Sequence, residues 1–328
     1  MKQVTMSNLK LGITEASIMT TDADMPFDLE TRFKMVKESG VYDYVDKTPP
    51  AEQEAEYAEL SEKYNLPILA GGWFYQLGKD EALLKANLEL GARLGSRVHN
   101  TQIFWRHNDG HAVTNEEVMA IYLQAAEWGE NCGCLPTFEV HINMWSEDFR
   151  RISQVADMVE KRGVAYRMTL DHSHVIFKIN NEEEYGMFGL REALADGSVI
   201  LDPAIVGNVC QEWIDRGFVQ HTHARSAVPD NPKNTFQQDH KGRPGRGVQY
   251  PFIQPEEGQY VAPWQEDRLL PWKQVVSALL KSQKDSDDIN TISTEFIPFP
   301  DYGGGHKYSI WENSLACAKW IKAEALSL

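Results

Sequence analysis

Short apolar segments alternate with longer amphipathic segments along most of the chain. Most of the apolar segments are followed by residues whose apolar positions recur with the 3.6-residue period of a helix. This alternation, with short connections, predicts parallel strands joined by crossover helices. The eight segments of strand length span residues 9–17, 41–47, 67–74, 97–104, 136–143, 165–173, 218–224 and 291–297.

Two of the helices are marked especially well. The helix predicted over 114–130 begins at Thr114, because Thr114 followed by Glu117 has the pattern of a capping box. The helix predicted over 148–162 is followed by Gly163, a residue type favoured just beyond a helix end. One apolar face is formed by Val118, Ile121, Tyr122, Ala125 and Ala126 in the first helix, and by Phe149, Ile152, Val155, Ala156 and Val159 in the second.

Eight strand–helix units in 328 residues predict an α/β fold, a (β/α)8 or TIM barrel that spans residues 1–328 as a single domain. A hydrophobic content of 42% is enough to bury such a core. The alternative is a doubly wound open sheet. It is weaker, because the first strand is followed by ITEASIMTTD and not by a Gly-rich phosphate loop.

One segment interrupts the alternation after the seventh predicted strand. Residues 225–270 are rich in Pro, Gly and Gln and have little periodicity. Barrel enzymes place their active sites at the end of the barrel where this segment begins, so we interpret it as a lid-like insertion. Within 225–246, five basic residues stand against two acids, a local charge of +3. The glycine run 303–305 permits close backbone approach or hinge motion.

The charge of the whole chain has the opposite sign. Lys and Arg number 32 and Asp and Glu 48, which gives a formal net charge of −16. This balance argues against nucleic acid and anionic membranes as partners, because both are bound through basic residues. No apolar run approaches the length of a membrane span, and the first residues lack the apolar core of a signal peptide. The four cysteines form no disulfide framework, so we expect a cytoplasmic protein.

Ligand-type side chains stand where the last four predicted strands end. In a parallel barrel these ends meet at one mouth, and alternation places Glu139 with His141, and His221 with His223, on the same side of their strands. Burying so many titratable groups would cost several kcal/mol without a shared opposite charge, and a divalent cation supplies one. The four strand ends carry Glu139 and His141, then Asp171 and His174, then His221, His223 and Arg225, and finally Glu295.

These motifs resemble the xylose isomerase-like TIM barrels, the sugar isomerase/epimerase superfamily that also includes the type IV AP endonucleases. The resemblance spans nearly the whole chain and rests on Glu139 in FEVH, Asp171 and His174 in LDHSH, His223 in HTHAR, and Glu295 in STEF. It implies that Glu139, Asp171, His223 and Glu295 hold one divalent metal ion. It also implies that His174 contacts the substrate, and that the chain forms a homo-oligomer, as barrels of this superfamily commonly do.

The chemistry of the donors agrees with that assignment. Carboxylates with an imidazole suit Mn²⁺, Co²⁺ or Zn²⁺, and suit Mg²⁺ less well. A metal ion on a sugar carbonyl and the adjacent hydroxyl stabilises an enediolate, and two carboxylates can remove and return the proton. We therefore expect a metal-dependent sugar isomerase or epimerase in which Glu139 and Glu295 transfer protons and His174 orients a substrate oxygen.

Further residues are candidates for contact with the carbohydrate substrate. His141 and His221 would contact the substrate or orient the metal ligands, and core hydrogen bonding explains them equally well. Lys47 and Arg225 would recognise a carboxylate or phosphate on an acidic sugar, although Lys47 also fits a solvated strand end. Trp105 would stack on a sugar face, or would pack between the barrel and its helices.

Three other functions remain open from the sequence. A lyase or hydratase acting on an oxidised sugar or glycoside would use the same metal and base. A phosphodiester hydrolase resembling the AP endonucleases would need three metal ions and a basic DNA-binding surface, which the charge of −16 disfavours. A non-catalytic sugar-binding barrel would not need two opposed carboxylates.

Overall fold

A closed barrel of eight parallel strands forms the centre of the protein in a computed structural model that describes residues 9–18, 27–284, 290–302 and 307–328. The predicted glycine hinge at 303–305 lies outside these residues. In chain order the strands are β1 (Leu9–Thr14), β2 (Tyr44–Asp46), β3 (Ile68–Tyr75), β4 (Val98–Ile103), β5 (Leu135–Glu139), β6 (Met168–Leu170), β7 (Val219–Ala224), the short β8 (Asn234–Gln238) and β9 (Pro244–Gly245), and β10 (Asn290–Thr294). Around the barrel the order is β1-β10-β7-β6-β5-β4-β3-β2, while β8 and β9 form a separate antiparallel hairpin.

Helices connect the barrel strands, and the predicted (β/α)8 barrel is confirmed. Short 3₁₀ helices lie at 15–17, 51–53, 145–147 and 266–269. None of the helices in the described part of the chain combines the length and the apolar composition that a membrane span needs. The α-helices are α1 (Leu29–Ser39), α2 (Glu54–Tyr64), α3 (Glu81–Leu94), α4 (Asn115–Cys132), α5 (Phe149–Glu160), α6 (Ser173–Ile176), α7 (Leu190–Ala195), α8 (Val209–Asp215), α9 (Leu270–Gln283) and α10 (Ile310–Ser327).

The two helices that the sequence marks best form as expected. Thr114 caps α4, and its side chain and that of Glu117 exchange hydrogen bonds with each other's backbone in a complete capping box. Every residue of the two predicted apolar faces is buried, since these faces pack α4 and α5 against the barrel. Helix α5 ends at Glu160, earlier than predicted, and Gly163 takes a φ of +80° in the turn that follows.

The segment 225–270 is more ordered than its composition suggests. It contains the β8–β9 hairpin and a 3₁₀ helix, and side chains such as Val228, Val248 and Tyr250 are fully buried. Its basic residues are largely neutralised by acids. Four of the five in 225–246 form ion pairs, namely Arg225, Lys233, Arg243 and Arg246. The role of a lid stays a prediction.

A glycine in β1 leaves room for a tyrosine inside the barrel. Gly12 stands beside Tyr44 in the β1–β2 pairing, and the Tyr44 side chain is fully buried. A Cβ atom on Gly12 would lie 2.2 Å from two ring carbons of Tyr44. The Tyr44 hydroxyl lies 2.7 Å from Ser293 Oγ, which links β2 to β10 across the barrel. The absence of a side chain at Gly12 therefore positions the tyrosine.

We expect Gly12→Ala to destabilise the fold by about 1–3 kcal/mol, because the added methyl group would overpack the Tyr44 ring. Gly186→Ala is the matched control, since a Cβ there meets nothing within 4 Å and Gly186 does not have a positive φ. The measurement is the free energy of unfolding in urea. Equal stability of the two variants would contradict this account of the barrel interior.

Candidate functional site

Four ligand-type side chains meet at the mouth of the barrel. Glu139 ends β5, Asp171 follows β6, His223 lies in β7 and Glu295 follows β10, on four neighbouring strands. One ligand atom from each residue lies within 4.8 Å of the ligand atoms of the other three. Glu139, Asp171 and His223 are buried, and the Glu295 side chain is 13% exposed. The structure thus brings together the complete set that the resemblance implies.

The imidazole of His223 lies between two carboxylates. Its Nδ1 is 3.0 Å from Glu139 Oε1 and 3.1 Å from Glu295 Oε2. Burial opposes a charge on His223, but the carboxylates of Glu295 and Glu139 outweigh it and raise the pKa of His223 well above its ordinary value. Burial also raises the pKa of Glu139, and the nearby His223 offsets this only in part.

The second oxygen of Glu139 is held by two amides. Asn100 Nδ2 and Gln102 Nε2, both in β4, donate to Glu139 Oε2 over 2.7 and 2.5 Å. This arrangement leaves Oε1 facing His223. Neither amide was predicted from the sequence, although two polar residues at alternate positions inside a buried strand are a usable signal.

Arg225 lies inside the site, where its guanidinium bonds to two carboxylates. It is fully buried, donates to Asp171, and approaches Glu295 Oε2 at 3.1 Å. Its guanidinium also lies 4.3 Å from the centre of the Tyr302 ring. Burial disfavours the charge, but Asp171 and Glu295 raise the pKa of Arg225, which stays protonated. Arg225 therefore compensates protein carboxylates in this structure.

His174 lies beside both Arg225 and Asp171. Its Nε2 is 2.8 Å from Arg225 Nη2 and 3.3 Å from Asp171 Oδ2. Burial, reinforced by the positive charge of Arg225, lowers the pKa of His174 well below its usual value, so the ring is neutral. His141 packs against it with ring centres 4.1 Å apart, and His141 Nε2 lies 2.8 Å from the Tyr302 hydroxyl.

A further carboxylate, that of the buried Asp46, lies behind His223. Asp46 Oδ2 is 3.0 Å from His221 Nε2 and 3.5 Å from His223 Nε2, and it accepts a hydrogen bond of 2.6 Å from Ser293 Oγ. His221 and His223 thus do point to the same side of β7, as predicted. Burial alone would raise the pKa of Asp46, but its bonds to the two histidines lower it. Metal-binding histidines commonly have such a carboxylate on their second nitrogen.

Asp46 was not among the residues predicted from the sequence, whereas its neighbour Lys47 was. Asp46 ends β2, so the same criterion that selected the other acids, a carboxylate at the end of an apolar strand, applies to it. Lys47 Nζ lies 2.7 Å from Glu15 Oε2. Trp105 contacts the Arg106 guanidinium and the ring of Phe188. Neither set of contacts includes a ligand-type residue of the mouth, and substrate binding by Lys47 and Trp105 stays a prediction.

A buried ion-pair network anchors the segment 225–270 beside the site. Lys178 Nζ lies 2.7 Å from Glu147 Oε1 and 3.5 Å from Glu184 Oε2. Arg246, which belongs to the segment, bonds to both of these acids. Burial raises the pKa of Glu147, but Lys178 and Arg246 outweigh it and lower the pKa to about 2. The segment is therefore tied to the turn after β5.

The donor set at the mouth fits a divalent cation. Three carboxylates and one imidazole converge in a buried space where Arg225 supplies the one permanent positive charge among these five side chains. Oxygen donors with one nitrogen suit Mn²⁺, Co²⁺, Zn²⁺ or Mg²⁺ and do not select one of them. Cysteine takes no part, since the cysteines lie elsewhere and three of the four are buried.

Known proteins resemble this chain in structure and not in sequence. No protein-family model and no curated protein matches it. A zinc-bound IolI protein is 15% identical with a TM-score of 0.54, covering 97% of this chain and 98% of its own. A 3-keto-D-glucoside 4-epimerase from E. coli is 13% identical with a TM-score of 0.52, and the match covers 96% of this chain and 99% of the epimerase.

A xylose isomerase-like TIM barrel protein from Mycobacterium smegmatis, determined with magnesium, is 11% identical with a TM-score of 0.52, covering 97% of each chain. Sequence identities this low show a shared fold and nothing more. Over nearly its whole length, this chain has the (β/α)8 barrel fold of these TIM barrel proteins.

Proposed function

We propose that this protein is a divalent-metal-dependent isomerase or epimerase of a small carbohydrate, acting by proton transfer beside a carbonyl group. The convergence of Glu139, Asp171, His223 and Glu295 at the barrel mouth carries the proposal. Two observations support it. Proteins with the same fold include an epimerase of a keto-glucoside, and other proteins with this fold bind zinc or magnesium.

The four ligand-type residues would hold the metal ion. When bound, it supplies Lewis-acid stabilisation of the negative charge that develops on the sugar oxygens as the proton leaves. Asp46 places a negative charge 3.5 Å from His223 Nε2, and Ser173 fixes Asp171 through its backbone N–H and its hydroxyl, 3.1 and 2.5 Å from Oδ1. The donors are therefore preorganised, which lowers the cost of binding a cation.

Glu139 and Glu295 are the proposed proton-transfer groups, and their surroundings give them different roles. Glu139 is fully enclosed, and two amides occupy its Oε2. The contacts of Glu295 to His223 and Arg225 both use Oε2, and its side chain is the more exposed of the two. Glu295 is therefore the stronger candidate for the base that meets the substrate, and Glu139 is the partner on the enclosed side.

Two neutral imidazoles would contact the substrate. The pKa values of His174 and His141 lie well below the ordinary value, His174 mainly because of burial and the charge of Arg225, His141 mainly because of burial and His174. A neutral ring can donate or accept a hydrogen bond without adding charge to the site. We assign them the orientation of sugar hydroxyl or carbonyl oxygens.

The Glu295→Gln variant tests the metal assignment. The unchanged protein should bind about one Mn²⁺ per chain. The variant should bind at least about ten-fold more weakly, because an amide oxygen is a poorer donor than a carboxylate. Equilibrium dialysis followed by elemental analysis measures both values. Glu266→Gln, an exposed position, is the control. An unchanged Mn²⁺ affinity in Glu295→Gln would contradict the ligand set, and three ions at the mouth would favour a nuclease.

Isotope exchange tests the reaction class. In D2O with a panel of ketoses and sugar acids, a proton-transfer enzyme should place deuterium on carbon beside the carbonyl of its substrate. Glu295→Gln should lower the rate at least about 100-fold, as expected on loss of a general base. Proton NMR follows the exchange. Conversion without carbon-bound deuterium would contradict proton transfer, and release of a leaving group would identify a lyase or hydratase.

The charge of the substrate is tested at Arg225. If Arg225 also recognises an acidic sugar, Arg225→Gln should raise KM for that sugar about ten-fold or more over its effect on a neutral sugar, as loss of one charged hydrogen bond predicts. Steady-state kinetics on matched sugar and sugar-acid pairs give this ratio. Equal effects on both members of a pair would show that Arg225 serves only the protein carboxylates Asp171 and Glu295.

A further inference from the structure

We propose that the turn between β4 and α4 is a second metal site, for a divalent transition-metal ion of the Zn²⁺ class. Its ligands would be His107, Asp109 and His111, which follow one another at every second position. One ligand atom from each lies within 4.8 Å of the other two. The site is separate in sequence and composition from the four-residue mouth set and does not depend on the proposed function.

Backbone hydrogen bonds hold the three side chains on one turn. The N–H of His107 donates to the carbonyl of His111 over 2.9 Å, and the N–H of Gly110 donates to the carbonyl of His107 over 2.9 Å. Gly110 has a φ of +99°, a conformation that L-residues rarely adopt. An antiparallel bridge between Arg106 and Ala112 closes the base of the turn. These backbone contacts therefore hold the turn, and the three residues on it, in one conformation.

The donor atoms gather around one carboxylate oxygen. Asp109 Oδ1 lies 3.1 Å from His107 Nδ1 and 2.5 Å from His111 Nδ1, and the two imidazole rings stack with centres 4.6 Å apart. Neighbouring donors of a tetrahedral zinc ion are about 3.3 Å apart, given zinc bonds of about 2.0 Å. The Asp109 side chain is 63% exposed, so a small rotation of it is enough to admit an ion.

One hydrogen bond directs the lone pair of His107 Nδ1 at this point, and a contact of His111 Nε2 allows the second ring to do the same. The backbone N–H of Asp109 donates to His107 Nδ1 over 3.3 Å, so Nδ1 is an acceptor that faces the acceptor Oδ1. On the other ring, His111 Nε2 lies 2.9 Å from Glu117 Oε1. A cation that replaces the proton between His111 Nδ1 and Asp109 Oδ1 would bind the Nδ1 lone pair while Nε2 donates to Glu117, which is the usual arrangement of a metal-binding histidine.

Glu117 is itself fixed in place. It is the acid of the capping box that begins α4, where Oε2 accepts the Thr114 N–H over 2.8 Å. Its position is therefore set by the helix start, and one carboxylate serves both the cap and His111. The Arg106 guanidinium lies over the Trp105 ring and donates to the Gly110 carbonyl, so these contacts do not occupy the three ligand side chains.

The composition of the turn selects a different ion from the barrel mouth. Two imidazoles and one carboxylate suit Zn²⁺, Ni²⁺ or Cu²⁺, whereas three carboxylates and one imidazole also suit Mn²⁺. His111 is 43% exposed, so water can complete the coordination. Because the N–H of Val113 donates to the Trp105 carbonyl over 3.0 Å, an ion in the turn would also stiffen the loop that carries Trp105.

Calorimetric titration of the full chain with ZnCl2 tests this proposal. His111→Ala and His107→Ala should each bind one zinc ion fewer than the unchanged protein, and Glu117→Gln should bind that ion about 10–100-fold more weakly. Asn108→Ala, an exposed position in the same turn, is the matched control and should titrate like the unchanged protein. Circular dichroism confirms that each variant is folded.

A second pair of titrations distinguishes zinc binding at the barrel mouth from zinc binding in the turn. Glu295→Gln should retain the zinc ion that His111→Ala loses, and the double variant should lose it as well. If His111→Ala and His107→Ala bind the same number of zinc ions as the unchanged protein, with the same affinity, the turn is not a metal site. That result would leave the assignment of the barrel mouth unaffected.

Discussion

The concentration of negative charge at one end of the barrel is the constraint on which the rest of the site depends. Glu139, Asp171 and Glu295 converge there in a space that is almost closed to water. Carboxylates buried this close together repel one another and lose their hydration, which costs several kcal/mol unless opposite charge compensates them. In the structure, His223 and Arg225 lie directly between the acids and carry out that compensation.

The compensation extends outward through the neighbouring strands in layers. Amides from β4 hold Glu139, and Asp46 from β2 holds the far side of His223. Beyond them, the acids Glu147 and Glu184 meet Lys178 and Arg246, which tie the segment after β7 to the turn after β5. The charged groups of these layers lie against groups of opposite charge, so removing one charge would leave its buried partner without compensation.

Under the proposed function, this set of donors limits the type of reaction more strongly than it limits the choice of sugar. A buried set of carboxylates with one imidazole suits a cation and proton transfer at the adjacent carbon, whether the outcome is isomerisation, epimerisation or elimination. Under the proposed function, the side chains around the ligands would decide which sugar enters. Here they are neutral imidazoles and a tyrosine, since His141 bonds to Tyr302 and packs against His174.

The sequence by itself determined the barrel, the two best-marked helices and the residues at four strand ends. The hydrophobic periodicity, the capping pattern and the order of strands along the chain can all be recognised from local sequence. Tertiary structure alone decided what those residues contact. The sequence predicts that Arg225 recognises an acidic group of the substrate, and the structure adds its bonds to Asp171 and Glu295. Asp46, which the sequence criteria did not select, lies 3.5 Å from His223 Nε2. These pairings join strands far apart in the chain, so they follow from barrel closure and register, which local patterns do not encode.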